Sequence, residues 1–185
     1  MAQSAHVRRD AAGTRGRILA IAAELFAERG YAGTSSRDIA ERLGVTKAAV
    51  YYHFPAKDRI LDALVEPLRA GVEGLAARAP GMAPGEIIDE LVAIMAGPGA
   101  VLRACVEDPS AKREIADHGI VFDFDALGRA IAGTGADAER EVRARCAIGA
   151  IFGGMVRAPE TGAAAALDLE AAVGRAARAA LGEPS

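Results

Sequence analysis

The sequence contains no tryptophan, only three tyrosines and five phenylalanines, and only two cysteines among its 185 residues. Cys105 and Cys146 have no CxxC spacing and no histidine cluster beside them, which argues against a disulfide framework and a zinc site. No run of about 18 apolar residues is present to span a membrane, and the polar N-terminus lacks a signal segment. We therefore expect a cytoplasmic protein.

Motifs that carry catalysis are also missing. There is no nucleophile elbow, phosphate-binding loop or metal-ligand spacing, so neither an enzyme nor a bound cofactor or metal is expected. Asp123 and Asp125 could suggest paired carboxylates for acid–base work. Two positions apart on a helix, however, they point to different faces.

The charge is distributed unevenly along the chain. Residues 1–60 contain ten Lys/Arg and six Asp/Glu, a net charge of +4, whereas residues 61–185 contain twelve and nineteen, a net charge of -7. A basic head joined to an acidic body is typical of a chain in which one part faces phosphate and the other does not.

Helical periodicity and abundant alanine predict an all-α protein. We divide it into a flexible N-terminal arm (1–13), a helix-turn-helix domain (14–56) and a C-terminal helical domain (57–185). Helices are predicted at 14–29, 36–43, 46–53, 57–79, 84–96, 99–107, 110–132, 136–157 and 163–181. Pro67 should kink the long fourth helix.

The second and third predicted helices form a helix-turn-helix pattern. Ser35 and Asp38 have the spacing of a capping box, and Gly44 supplies the tight turn. Ile39, Leu43 and Val50 face inward, which leaves the outer face of the third helix for a major groove.

The stretch from Arg17 to Leu64 resembles the N-terminal domain of the TetR family of regulators. The matching pieces are Ala23-Glu24-Leu25-Phe26 with Gly30-Tyr31 and Thr34, Ile39-Ala40 with Leu43-Gly44-Val45-Thr46, and Val50-Tyr51-Tyr52-His53-Phe54 with Lys57 and Leu61. The resemblance implies an all-helical homodimer that represses transcription from a pseudo-palindromic double-stranded DNA operator. It also implies that residues 57–185 are a ligand-binding and dimerisation domain, in which a small-molecule inducer binds and thereby releases the protein from DNA.

Carried over by position, the DNA-facing residues lie at the start of the second helix, on the third helix, and at the start of the fourth. They are Ser35, Ser36, Arg37, Thr46, Lys47, Ala48, Ala49, Tyr51, Tyr52, His53 and Lys57. Other roles remain open for some of them. Tyr51 could be a core or dimer residue, Tyr52 could pack under the first helix, and His53 could cap its helix. Lys57 could pair with a surface carboxylate.

The C-terminal body offers candidate residues without a diagnostic motif. An apolar or amphipathic inducer would contact Leu64, Leu68, Leu91, Met95, Leu102, Arg103, Cys105, His118, Val121 and Phe122, although each could be ordinary core. The expected dimer interface comprises Val142, Cys146, Gly149, Phe152, Gly153, Val156, Leu169, Val173 and Ala176, although an intrachain seam fits the same pattern.

The sequence leaves three functions open. The first is a ligand-responsive repressor, with activation of transcription as a variant of it. The second is an enzyme that uses the acidic body, which lacks a catalytic constellation. The third is an architectural or partner-binding protein whose DNA binding no small molecule alters.

Overall fold

The computed structural model describes residues 2–96, 108–117, 124–157 and 168–182, with side chains from residue 13 onward. Within these ranges every regular element is an α-helix, and the expected all-α class is confirmed. The helices are α1 (Ala2–Arg29), α2 (Ser36–Leu43), α3 (Lys47–His53), α4 (Lys57–Arg78), α5 (Pro84–Ala96), α6 (Pro109–Asp117), α7 (Phe124–Ala132), α8 (Ala138–Arg157) and α9 (Leu169–Leu181).

The first helix begins much earlier than the sequence suggested. Residues 2–13, expected to be an arm outside the helix, are helical and continuous with the rest of α1. Their composition explains the difference, because four alanines and two arginines favour a helix and no proline interrupts them. The predicted start of the first helix at residue 14 was wrong, whereas the flexibility of residues 1–13 stays a prediction.

The chain folds as two compact units. Unit 1 comprises Met1–Glu66 with Ala100–Ile120, and unit 2 comprises Pro67–Gly99 with Val121–Ser185. The division falls inside α4, between Glu66 and Pro67, rather than between residues 56 and 57. The first turns of α4 belong to unit 1 because Ile60 and Leu61 are fully buried and Lys57 bonds to the turn before α2.

Unit 1 is organised around α1, whose buried face predicts its packing. Ile18, Ala22, Leu25 and Phe26 recur every three or four residues, and all four are buried. Ile39 and Val50 are buried from α2 and α3, as expected. Phe54 is buried in extended backbone immediately before Pro55, since proline disfavours helical geometry in the residue that precedes it.

Unit 2 contains α5, α7, α8, α9 and the second part of α4. Its most extensive packing is between α8 and α9, where a Cβ built on Gly154 would lie 2.5 Å from Cγ2 of Val173. Arg178 of α9 forms an ion pair with Asp89 of α5. Within the range of the predicted helix at 110–132, the described residues form α6 and α7. The predicted helix at 99–107 lies outside the described residues.

None of the helices that the structure describes is both long enough and apolar enough to cross a membrane.

Candidate nucleic-acid interface

The capping of α2 and α3 holds the helix-turn-helix in shape. Ser35 precedes α2, where its Oγ accepts from the Asp38 amide at 3.2 Å and the Asp38 carboxylate accepts from the Ser35 amide at 2.8 Å. This reciprocal pair is the predicted capping box. Hydrogen bonding from Ser35 also lowers the pKa of the Asp38 carboxyl.

Gly44 ends α2 and begins the turn. Its φ of 71° lies in the left-handed region, and its amide donates to the Glu41 carbonyl at 3.1 Å while the Val45 amide donates to that of Ala40 at 3.0 Å. Thr46 then caps α3 by accepting from the Ala49 amide at 3.2 Å. Two short helices are thus joined with their terminal polar groups satisfied.

The outer face of α3 is open to solvent. Thr46, Lys47, Ala48, Tyr51 and Tyr52 are all exposed, while Val50 on the opposite face is fully buried. Tyr52 is 84 % exposed, so it does not pack under α1, the alternative left open by the sequence. The Lys47 ammonium lies 5.1 Å from the centre of the Tyr51 ring, which keeps a cation and a phenol on the same exposed face.

Lys57 contacts the turn between α1 and α2. Its Nζ donates to the carbonyls of Tyr31, at 2.8 Å, and Thr34, at 3.0 Å, and lies 3.9 Å from the centre of the Tyr31 ring. These oxygens supply the negative partner that a lysine at a helix N-terminus needs. Burial lowers the pKa of Lys57, against the opposing influence of Asp108 and Glu114.

The turn that Lys57 contacts is itself tightly bonded. Thr34 is buried, and its hydroxyl lies 2.9 Å from the Gly30 carbonyl and 3.1 Å from that of Leu25. Tyr31 is buried against Phe26 in an edge-to-face pair, and burial raises the pKa of its phenol. This turn sets where α2 begins.

The predicted DNA-facing residues are therefore not all alike. Ser36 is buried, so its side chain does not join the exposed set. Ser35 and Thr46 are exposed but use their hydroxyl oxygens as caps, and Arg37 pairs with Glu41 at 2.8 Å. Ala49, His53 and Lys57 are partly buried. Nucleic-acid contact by these residues stays a prediction.

Sequence reasoning missed Thr34 and Asp108 as parts of this region. The Asp108 carboxylate accepts from the Ala32 amide at 2.8 Å, across 76 residues of chain. Thr34 entered only as part of the family pattern, because nothing local distinguishes it from Ser35 and Ser36, which follow it directly. Asp108 directly before Pro109 has the local pattern of a helix N-cap, but nothing local points to its bond with Ala32.

Four of the ten predicted pocket residues lie within the described ranges. Leu68, Leu91 and Met95 are buried and Leu64 is half-buried, while Leu102, Arg103, Cys105, His118, Val121 and Phe122 lie outside them. Unit 2 also has an open cavity of about 780 Å³ beside the α7–α8 turn. Its lining includes Met82, Ile131, Arg129 and Arg140.

The predicted dimer residues separate into two groups. Val142, Cys146, Gly149 and Ala176 are exposed, with Val142 57 % exposed, and Phe152, Gly153 and Leu169 are partly buried. Val156 and Val173 are buried within the chain, as the alternative of an intrachain seam requires of them. No group of three potential metal ligands occurs among the residues that the structure describes.

A family model described as "Bacterial regulatory proteins, tetR family" matches residues 18–64. In Mycobacterium tuberculosis, the HTH-type transcriptional repressor KstR2 is 42 % identical over 64 residues, which are 35 % of this chain and 30 % of that protein. The HTH-type transcriptional regulator TtgR of Pseudomonas putida is 39 % identical over 69 residues, 37 % of this chain and 33 % of that one. The matched segment thus spans about a third of these curated relatives.

The whole fold is also found in solved structures. The crystal structure of Mycobacterium smegmatis AmtR aligns with a TM-score of 0.68 and 24 % identity, covering 92 % of this chain and 87 % of that one. A complex of SmeT with triclosan aligns with a TM-score of 0.61 and 23 % identity, covering 92 % and 88 %. These likenesses establish the helical architecture beyond residue 64.

Proposed function

We propose that the chain is a transcriptional repressor of the TetR family that binds operator DNA through α3, a proposal supported by the family match over residues 18–64 and by the similarity to KstR2. The observation that carries the proposal is the exposed face of α3, with Lys47, Tyr51 and Tyr52 on a helix of seven residues capped at Thr46. A helix presented in this way fits a major groove about 12 Å wide.

The composition of that face indicates how it would bind. Lys47 can donate to the acceptors of a guanine edge or to a phosphate, and Ala48 can contact a thymine methyl. The tyrosine hydroxyls are suited to phosphate oxygens. Because the first 60 residues have a net charge of +4, binding should weaken as salt is raised.

The test uses fluorescence anisotropy with DNA enriched from a random-sequence pool by the full chain. Lys47→Ala should weaken binding about 5- to 150-fold, the range of a base or phosphate contact worth ~1–3 kcal/mol. Lys112→Ala is the matched control, because it also removes one exposed lysine charge but from α6. Equal loss in the two variants, or no preference for enriched over random DNA, would contradict the proposal.

We also propose that the repressor is a homodimer that uses the exposed side of α8 and α9. Val142 is a large apolar side chain left in solvent, and Cys146, Gly149 and Ala176 add small neighbours that permit close approach. Two copies would match the two halves of a pseudo-palindromic operator. Sedimentation of Val142→Glu should show a monomer, and an unchanged dimer would rule out this face.

Release by a small molecule is the regulatory part of the proposal, supported by the SmeT complex with triclosan. An apolar effector would contact the buried side chains of Leu68, Leu91 and Met95. An amphipathic anion fits the open cavity beside Arg129 and Arg140. Octanoate and octanamide, titrated into the DNA complex, distinguish the two, because only octanoate should lose its effect in Arg140→Ala. A complex that no compound in a broad panel dissociates would favour an unregulated architectural role.

A further inference from the structure

Asp108 joins α6 to the turn that precedes the helix-turn-helix. One carboxylate oxygen, Oδ1, accepts from the Ser110 amide at 2.8 Å and from its hydroxyl at 2.5 Å, which caps α6 next to Pro109. The other, Oδ2, accepts from the Ala32 amide at 2.8 Å. One side chain therefore fixes a helix start and a backbone amide 76 residues away.

The turn is shaped to receive this carboxylate. Gly30 has a φ of 75°, and a Cβ built on it would lie 3.1 Å from Asp108 Oδ2. A side chain at position 30 would be strained by the backbone and would crowd the carboxylate. Glycine at this position thus lets the carboxylate approach the backbone closely.

Lys57 holds the opposite side of the same turn. Its ammonium donates to the carbonyls of Tyr31 and Thr34, on either side of Ala32. The Asp108 carboxylate accepts from the amide of Ala32 itself. Donors and acceptors of the turn are thus both satisfied by charged side chains, and such bonds are stronger than those between neutral groups. The next residue, Ser35, is the cap from which α2 starts.

Asp108 is ionised throughout the physiological range. Partial burial works to raise its pKa, but the hydrogen bonds from Ser110 and from the amides of Ala32 and Ala111 outweigh burial and hold it at about 2. The bond to the Ala32 amide is therefore charge-assisted under all ordinary conditions.

We propose that Asp108 is a positioning residue for DNA binding, which holds the α1–α2 turn and through it the start of α2. The inference rests on the proposed DNA-binding function. The segment Ala100–Ile120 joins unit 1 from the middle of the chain, between two segments of unit 2.

The decisive variant is Asp108→Ser in the full chain. Serine still caps α6, since its hydroxyl oxygen can accept from the Ser110 amide, but its side chain is too short to reach Ala32 as well. Asp108→Asn keeps an acceptor of the right length without the charge. Asp117→Ser changes an exposed aspartate at the other end of α6 and is the control.

Two readouts separate positioning from capping. In Asp108→Ser, hydrogen exchange at the Ala32 amide should quicken roughly tenfold or more and the affinity for enriched DNA should fall several-fold. Asp108→Asn should recover part of both, and Asp117→Ser should change neither. Unchanged exchange at Ala32 would overturn the contact, and faster exchange with unchanged affinity would overturn the positioning role.

Failure of the proposed function has a different signature. If the unaltered chain shows no preference for any DNA, both proposals fall as accounts of DNA binding, while exchange at Ala32 still reports whether Asp108 holds the turn.

Discussion

The α1–α2 turn and the contact between α8 and α9 are both places where chain segments approach closely, but different forces hold them. At the turn, Thr34, Lys57 and Asp108 each bond to backbone groups. Between α8 and α9, the approach depends on size, because Gly154 leaves room for Val173. These helices also bury three alanines completely, and their methyl groups contribute packing but no hydrogen bonds: Ala144, Ala147 and Ala177.

The difference determines how each region tolerates change. A hydrogen bond requires a particular group at a particular length, so few residue types can replace Thr34 or Asp108. A close helix contact requires only that the side chain be small, so many arrangements of alanine and glycine serve. We therefore expect the stability of the turn to depend on its hydrogen-bonding groups, and the stability of the α8–α9 contact to depend on side-chain volume.

The largest effect should come from adding volume between α8 and α9. Gly154→Val adds a Cβ that would lie only 2.5 Å from Cγ2 of Val173. The branched side chain of Val173 has few rotamers with which to move away. We expect a loss of about 3 kcal/mol in the free energy of unfolding by urea, the upper part of the usual range for overpacking. Gly16→Val is the control, because nothing lies within 4 Å of that site. It should change the free energy of unfolding by less than ~0.5 kcal/mol. Similar losses in both variants would show that the space between α8 and α9 does not limit side-chain size at position 154.

A smaller loss of stability should follow when a hydrogen-bonding group is removed without a change in side-chain volume. Thr34→Val keeps the shape but leaves the Leu25 and Gly30 carbonyls without the hydroxyl donor, at a cost of ~1–3 kcal/mol in urea unfolding. Thr134→Val makes the same change at an exposed position of unit 2 and should be neutral within ~0.5 kcal/mol. If Thr34→Val were equally neutral, the turn would not depend on its polar contacts.

The smallest effect concerns pH. The pKa of Asp108 is depressed to about 2 in the fold, against ~3.9 for an unfolded chain. The stability it contributes is therefore present above pH ~4 and lost as pH falls through about 2. Urea midpoints of the unaltered chain and Asp108→Asn should differ at pH 6 and converge near pH 2. A constant difference across that range would show that the charge of Asp108 is irrelevant to the turn.

Local capping explains why the helix-turn-helix could be predicted from sequence. Ser35 and Asp38 lie three residues apart, as do Thr46 and Ala49, so the signals that start α2 and α3 are contained in short windows. Phe54 before Pro55 is equally local. The family pattern falls in this same stretch, residues 18–64.

The rest could not be predicted, for two physical reasons. Lys57 was expected to face DNA or to pair with a surface carboxylate, but its partners in the fold are carbonyls 23 and 26 residues away. Asp108 bonds to an amide 76 residues away. Such contacts leave no periodic trace in the sequence. On α8, periodicity alone could not separate buried Val156 from exposed Val142, because a helix contact within one chain and one between two chains select the same small and apolar residues.

The discontinuous make-up of unit 1 has a consequence for engineering. Exchanging heads between regulators by cutting within α4 at Glu66 would transfer α1, α2 and α3 but leave behind Asp108 and α6. The transplanted head would then meet whatever residue the recipient carries opposite Ala32. A chimera that also carries residues 108–117, or an aspartate grafted at the equivalent place, should preserve the donor's DNA preference better than one cut at residue 66 alone.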